Sequence, residues 1–595
     1  MKPNPQGKKS FVFFVLLIVS IFILSGFGSV CASPSSSFEA GKKFGKQYSA
    51  LIIQNIHNLK KTSAHNDLDF DKLVTYAKEV ETLYRSILPE KLQWVKGAAD
   101  GCGIPYLDLL IFNVADRGIK GFQGECTTVM AQGKALTAGK GTIIVKNRDL
   151  GTNTLSEIGL HQAAELPKNA VYRAAYIDIP NVTRTYKFIG SRTAGRWGYG
   201  MGINEHQVIV ADNDAPSRDK MDWKASLHDN DVVRLILERA KTAQEGMEIA
   251  TKLVETYGQA WNGIMFEIGD PTEIWVVEVT GRRWAAKRYT DTVAVRANQY
   301  QLTDDYDQAS EDLIDFAVSQ GWVQKGVERI NFRNVYGTDT LYPNDNNLDS
   351  RKPMPVIYSA QQRYLRALDL MTAMKGSVDA ASLPAVMRDH YDTYTLPSGK
   401  TIEMNQVPFY SSKYADWTKR EWVINEPKQD TIELHQYVRG ICGHDIGWLR
   451  TASSAIMVAR PDVPGDLGLM LHAYMNPCQS TYVPFYVGIT ELDPRFASLQ
   501  AAVKFESIRT RAFGNSSLFH DAIRGAFDPY EARMFPELRA VENQYMALMN
   551  NGKEKEAKAS LTAYVLDRCV EVLHLAEMAQ DNMSRAAYNA SRWSR

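Results

Sequence analysis

A cysteine followed by two threonines, Cys126, Thr127 and Thr128, stands ahead of an Asn-x-Asp triplet, Asn147, Arg148 and Asp149. The segments ECTTVMAQGKAL and GTIIVKNRDL flank the glycine-bearing turn TAGKG (137–141) and read as the two strands of a hairpin. Side chains alternate along a strand, so Asn147 and Asp149 project to one face and Arg148 to the other. If the hairpin lays Cys126 over the face of Asn147 and Asp149, a thiol, an amide and a carboxylate converge. That set suits nucleophilic acyl chemistry, with Asn147 and Arg148 as candidate substrate contacts. The nucleophile needs a base, and no histidine is close in sequence. Scission of the Glu125–Cys126 bond would supply one: a freed α-amine, with a typical pKa of about 7.7–8.0, takes the thiol proton. Asp149 then holds the ammonium form. The structural alternative is a cysteine that is a small buried hydrophobe at a strand start.

The elements that must position these residues are legible from period and punctuation. Ahead of the cysteine, FEAGKKFGKQYSALIIQNIHNL, FDKLVTYAKEVETLYRSIL, EKLQWVKGAADG and YLDLLIFNVADR carry apolar residues at helical spacing, which makes 33–125 a small helical unit. From Cys126 the text changes to short β-rich runs, among them TIIVKN, HQVIVAD, GIMFEIG, EIWVVEVTG and TVAVRAN. Between them lies a helical pair, from about Asp229 to Ala240 and then from TAQE (242–245), a capping box, to Gly258. Strands, two helices and strands again predict a layered α+β body with helices covering sheets. From about Pro494 the chain returns to helix-like text. The expected division is 1–32, 33–125, 126–495 and 496–595.

The first of these divisions is an expected signal peptide. Lys2, Lys8 and Lys9 precede the apolar run FVFFVLLIVSIFIL (11–24), and Val30 and Ala32 occupy the small-residue positions before a cut after Ala32. The mature protein is expected outside the cytoplasm, with membrane attachment only if this segment stays uncleaved. Lys plus Arg equals Asp plus Glu at 68 each, so no net basic field recruits nucleic acid. At 595 residues and 45% apolar composition the chain buries a large core and is not disordered.

Six cysteines, Cys31, Cys102, Cys126, Cys442, Cys478 and Cys569, include no Cys-x-x-Cys pair, and no His-Glu-x-x-His occurs, so linear zinc motifs are missing. A disulfide among the last three cysteines is an open alternative for an exported chain. RDHYD (388–392) suggests a metal only weakly and reads as a solvated loop or helix end. GYGMG (198–202) reads as a tight strand approach rather than a phosphate loop. Neither a metal nor an organic cofactor is expected.

The stretch CTTVMAQGKALTAGKGTIIVKNRDL resembles the opening of the cysteine dipeptidases related to dipeptidase A and the secernins, within the N-terminal-nucleophile (Ntn) hydrolase superfamily. WGYGMGINEHQVIVADND, DPTEIWVVEVTGRRWAAKRYTDTVAVRANQY, LTDDYD, MRDHYDTY, RGICG and YVPFYVGI resemble successive blocks of that family in the same order. VKGAADGCGIPYLDLLIFNVADRG is similar to the pro-region of self-cleaving acyltransferases of the isopenicillin-N type.

The resemblance implies a four-layer αββα sandwich, cleavage between Glu125 and Cys126, and a pro-segment chain that stays bound to the rest. It implies Cys126 as nucleophile, Asp149 as the carboxylate orienting its amine, Asn298 as a side-chain donor to the oxyanion and Asn213 as a backbone donor. Lys146 departs from the family, whose members often carry arginine there. Lysine keeps the charge and loses the planar fork. The implied substrate is a small peptide. An amidohydrolase or acyltransferase working on another amide, and an exported binding protein that has lost its chemistry, are the alternatives.

Overall fold

The computed structural model of the chain describes scattered residues of 37–85, and then 89–114, 125–151, 154–174, 177–194, 197–219, 226–259, 263–337, 359–390, 393–395, 401–403, 440–444, 449–512 and 516–593. The expected signal peptide and Cys31 lie outside the described residues.

Two helices, α1 (Pro89–Cys102) and α2 (Tyr106–Val114), precede Cys126, where the apolar spacing predicts them. A Cβ on Gly97 of α1 would lie 1.9 Å from the carbonyl oxygen of Phe38, so only glycine admits the backbone that crosses there. The expected hairpin follows as β1 (Glu125–Gln132) and β2 (Thr142–Gly151). Then come β3 (Ser156–His161), β4 (Phe188–Thr193), β5 (Met201–Asn204), β6 (Ile209–Ala215) and the helical pair α3 (Asp229–Arg239) and α4 (Ala243–Tyr257). Strands β7 (Gly263–Gly269), β8 (Ile274–Thr280), β9 (Arg283–Tyr289), β10 (Val293–Arg296) and β11 (Gln308–Ala309) lead to helices α5 (Ser359–Ala373) and α6 (Leu383–Met387). Strands β12 (Leu449–Ala459), β13 (Leu469–Tyr474) and β14 (Val483–Tyr486) precede the closing helices α7 (Leu499–Ala512), α8 (Ser516–Asn550) and α9 (Glu554–Trp593).

One sheet has the order β10-β1-β2-β12-β13-β14 and the other the order β11-β9-β8-β7-β6-β5-β4-β3. Every pairing within them is antiparallel. The second sheet is a meander, as short connections between sequence neighbours favour. Its outer face is covered by α3 and α4, whose Leu235, Ile236, Met247 and Val254 share a buried core with Val210, Phe266, Ile268 and Val277. The sheets face each other through residues such as Ile144, a Cβ on Gly269 falling 2.9 Å from its Cδ1. The other face of the first sheet packs against the helices that follow, with Tyr474 stacked on Phe505 at 5.8 Å between ring centroids. Helix, sheet, sheet and helix layers therefore succeed one another, the expected αββα arrangement.

The caps follow the sequence. Thr242 accepts from the amide of Glu245 at 3.1 Å, and Gly258 ends α4 at φ +78°. The Glu245 carboxylate reaches back to the amide of Lys241 instead of that of Thr242. Helices α8 and α9, 35 and 40 residues long, form a hairpin whose turn places Gly552 at φ +71°. Helix α8 runs on through Pro529 and Pro536, each of which removes an intrahelical donor, and it packs along α9.

Candidate active site

The register of the hairpin decides which side chains share a face. Cys126 pairs with Arg148 and Thr128 with Lys146, while Thr127 pairs with Asn147 and Glu125 with Asp149. Residues opposite one another in an antiparallel pair project to the same side. Cys126, Thr128, Lys146 and Arg148 thus face the second sheet, and Thr127, Asn147 and Asp149 face the helical layer. This corrects the expectation that Cys126 lies over Asn147 and Asp149, because a register one residue different moves every side chain to the other face.

On the Cys126 face, the ammonium of Lys146 donates to Asp212 and, at 3.1 Å, to the carbonyl of Gly200. Burial works against that charge, but the carboxylate of Asp212 and the Cys126 sulfur together outweigh it and keep the Lys146 pKa above its ordinary value. Lysine serves as a point charge between two acceptors, so no planar fork is needed. Arg148 donates to Thr193 at 2.9 Å and to Asn230 at 3.1 Å. A Cβ on Gly200 would meet Arg148 Nε at 2.6 Å, and one on Gly202 would meet the carbonyl oxygen of Ile189 on β4 at 2.7 Å, which bears out the tight strand approach read from GYGMG. Asn213 is buried and its amide donates to Thr128 Oγ1 at 2.9 Å and to Glu267 at 3.1 Å. Its side chain therefore braces β1 from the second sheet.

Asn298 follows β10, the strand on the other side of β1, and its Oδ1 accepts from the backbone N–H of Cys126 at 2.6 Å. Its Nδ2 donates to the carbonyl of Asp214 at 3.0 Å. The expected side-chain donor is engaged here, and Asn298 instead fixes the nitrogen of Cys126. Arg363, on α5 and only 1% exposed, donates to the Cys126 carbonyl at 2.6 Å, to Thr127 Oγ1 at 2.7 Å and to Asn298 Oδ1 at 2.9 Å. One guanidinium thereby holds three points around a single peptide unit, a task its forked geometry suits. Sequence reasoning missed Arg363, because a lone arginine in an amphipathic helix carries no local mark of burial.

Asp149 lies behind the strand and accepts from Thr451 Oγ1 at 2.7 Å. A register shift in β12 between Thr451 and Ser453 sits beside it, of the kind that re-aims side chains near sites. Asn147 donates to the carbonyls of Met387 at 2.9 Å and Ile441 at 3.0 Å, tying the helical layer to β2. Its amide is committed to structure on the face away from the thiol.

The thiol itself is 6% exposed. Burial pushes its pKa up to about 12; the carboxylates of Asp212, Asp149 and Asp214 add to the effect, and Lys146 opposes it. The sulfur is therefore protonated at neutral pH.

Compared with known families, residues 125–510 match Peptidase family C69. A probable dipeptidase of Latilactobacillus sakei is 24% identical over 63% of this chain and 76% of its own length. A probable dipeptidase B of Lactococcus lactis subsp. lactis is 28% identical over 74% of this chain and 94% of its own. Among solved structures, a mutant of conjugated bile acid hydrolase from Clostridium perfringens is similar at 13% identity and a TM-score of 0.30, over 59% of this chain and 89% of that one. Penicillin V acylase from Agrobacterium tumefaciens is similar at 11% identity and a TM-score of 0.28, over 61% of this chain and 86% of that one. With the family match spanning both sheets and the hairpin that carries Cys126, the chain belongs to peptidase family C69 and is a hydrolase of peptide amide bonds.

Proposed function

We propose that the chain is an exported dipeptidase that activates itself by cleaving before Cys126. The observation that carries this reading is the hold on the Cys126 nitrogen by Asn298 Oδ1 at 2.6 Å, with Arg363 fixing both the carbonyl of that residue and the same asparagine oxygen. A nitrogen oriented so closely matters most if it becomes an amine.

In the first step the Cys126 sulfur attacks the Glu125 carbonyl carbon and gives up its proton. The carbon–nitrogen bond breaks, the nitrogen gains a proton, and water hydrolyses the resulting thioester. The α-amine left on Cys126 is then the base for the catalytic cycle. It takes the thiol proton, the thiolate attacks the substrate carbonyl, and the proton passes to the departing amine. Water releases the acyl group from sulfur and restores the thiol. Lys146 and Arg148 supply positive charge on the sulfur's face, where an anionic tetrahedral intermediate would form. The pro-segment remains with the body after cleavage in this reading, and the names borne by the lactic-acid bacterial relatives point to dipeptides as substrate.

The test is gel analysis and N-terminal sequencing of the purified protein, followed by a dipeptide panel. Two fragments, the larger beginning at Cys126, with dipeptide turnover that Cys126→Ser abolishes, are expected. A single uncut chain that turns over dipeptides removes self-cleavage from the scheme. A processed chain without turnover on any dipeptide removes the substrate class.

A further inference from the structure

Outside this site, four metal-binding side chains from three separate places meet. His390 follows α6, Cys442 and His444 lie in segment 440–444, and Cys478 lies in the short turn Pro477–Gln479. One ligand atom from each falls within 4.8 Å of all the others. The two sulfurs are 3.7 Å apart and the two imidazole Nε2 atoms 3.0 Å apart. His444 Nε2 lies 3.8 Å from Cys442 Sγ and 3.1 Å from Cys478 Sγ.

We propose that His390, Cys442, His444 and Cys478 bind one zinc ion in a closed structural site. Zinc takes sulfur at about 2.3 Å and imidazole nitrogen at about 2.0–2.1 Å. The edges of such a tetrahedron are about 3.8 Å for sulfur to sulfur, about 3.3 Å for nitrogen to nitrogen and about 3.6 Å for the mixed pairs. The measured separations scatter around these values, and the sulfur pair matches its edge. Two sulfur and two nitrogen donors select a soft tetrahedral ion over calcium or magnesium, which require oxygen. The two thiols lose their protons on binding, and two thiolates cancel the charge of a divalent ion, so the buried site is neutral overall.

Among the described residues, the carboxylates of Asp389 and Glu531 are engaged by arginines, and the donor set is sulfur and nitrogen. Arg366 holds Asp389 through two bonds of 2.9 and 2.6 Å, and Arg388 holds Glu531 through two of 2.8 and 2.5 Å. The same groups tie the ligand-bearing segments together. The Asp389 carbonyl accepts from the Cys442 amide at 3.3 Å, and Arg388 Nε donates to the Pro477 carbonyl at 2.8 Å. A disulfide between Cys442 and Cys478 would use the sulfurs and give the two facing imidazoles no common partner.

All four positions being filled by protein, the ion would take no part in chemistry and would fasten segment 440–444 behind the nucleophile hairpin. Ile441 accepts from Asn147 there, and the Gly443 amide donates to Thr451 Oγ1 at 2.9 Å, the hydroxyl that bonds Asp149.

The test is metal analysis of the full chain, purified with a mild reductant and without chelator, then loaded with zinc and dialysed. About one zinc per chain is expected. Cobalt(II) in its place should give thiolate-to-cobalt charge-transfer bands and the intense visible bands of a tetrahedral ion. Cys442→Ser and Cys478→Ser should each lose the stoichiometric metal, while Cys569→Ser and Cys126→Ser keep it. Retention in Cys126→Ser separates this site from hydrolysis. No bound zinc, an octahedral cobalt spectrum, a Cys442–Cys478 disulfide in the native protein, or equal metal in Cys442→Ser would each overturn the proposal. If the serine variants fail to fold, the cobalt spectrum of the unaltered chain decides.

Discussion

The side-chain oxygen of Asn298 and the backbone nitrogen of Cys126 lie 2.6 Å apart, across the edge between β10 and β1. Asn298→Leu removes the acceptor while keeping the bulk, and dipeptide turnover should fall by about a hundredfold or more. Asn298→Asp keeps an oxygen in place and should retain more kcat than the leucine variant. Equal losses in the two would show that the acceptor on that nitrogen is not what the reaction uses.

Arg363 bridges the same peptide from the helical layer. Arg363→Met removes the guanidinium donor from the Cys126 carbonyl and Thr127 Oγ1, while Asn298 Oδ1 keeps the Cys126 N–H, at about 1–3 kcal/mol for each group stranded. Urea denaturation should show a loss of about 2–4 kcal/mol in total. Arg363→Lys restores the charge but not the fork, and should recover stability further than it recovers kcat. An unchanged denaturation midpoint in the methionine variant would contradict this role.

Gly200 gives Arg148 its room. Gly200→Ala puts a methyl 2.6 Å from Arg148 Nε, in a place where the guanidinium is committed to Thr193 and Asn230. Overpacking of this kind costs about 1–3 kcal/mol, measurable by thermal melting. Turnover should fall alongside, since Arg148 shares the face of the thiol.

Glu267 is buried beneath Asn213, and burial pushes its carboxyl up to about 8 from an ordinary 4.5. The folded chain keeps this proton over a range in which the unfolded chain releases it. The contribution of Glu267 to stability is therefore fullest below about pH 4.5, falls as pH rises through the window, and levels off above about 8. Glu267→Gln mimics the protonated acid. It should melt with the parent near pH 4.5 and above it by several degrees at pH 9. Parallel curves for the two proteins would place the titration elsewhere.

Much of the fold was legible because it rests on local rules. The hairpin from Cys126 to Asp149, the capped pair α3 and α4, and the closing helices all follow from period, glycine turns and caps. A layered α+β body followed from the alternation of strands and helices, and the αββα order came with the family resemblance. The site was legible in part. Cys126 and Asn298 were named, and they do meet, but the face on which Cys126 lies was not, since alternation fixes which residues share a side and says nothing of strand register. Asn147 and Asp149 consequently lie behind the strand, bonded to Met387, Ile441 and Thr451.

By itself the sequence determined which segments are strands and helices, where they turn, and that Cys126 opens the β-rich body. These are consequences of steric preference and of the spacing of apolar residues, both read within about twenty neighbours. Only the tertiary structure decided that Arg363 reaches Cys126 across 237 residues and that His390 meets Cys442, His444 and Cys478. Such meetings depend on register, sheet order and helix docking, which arise from burial summed over the whole core and leave no mark in any one stretch of chain.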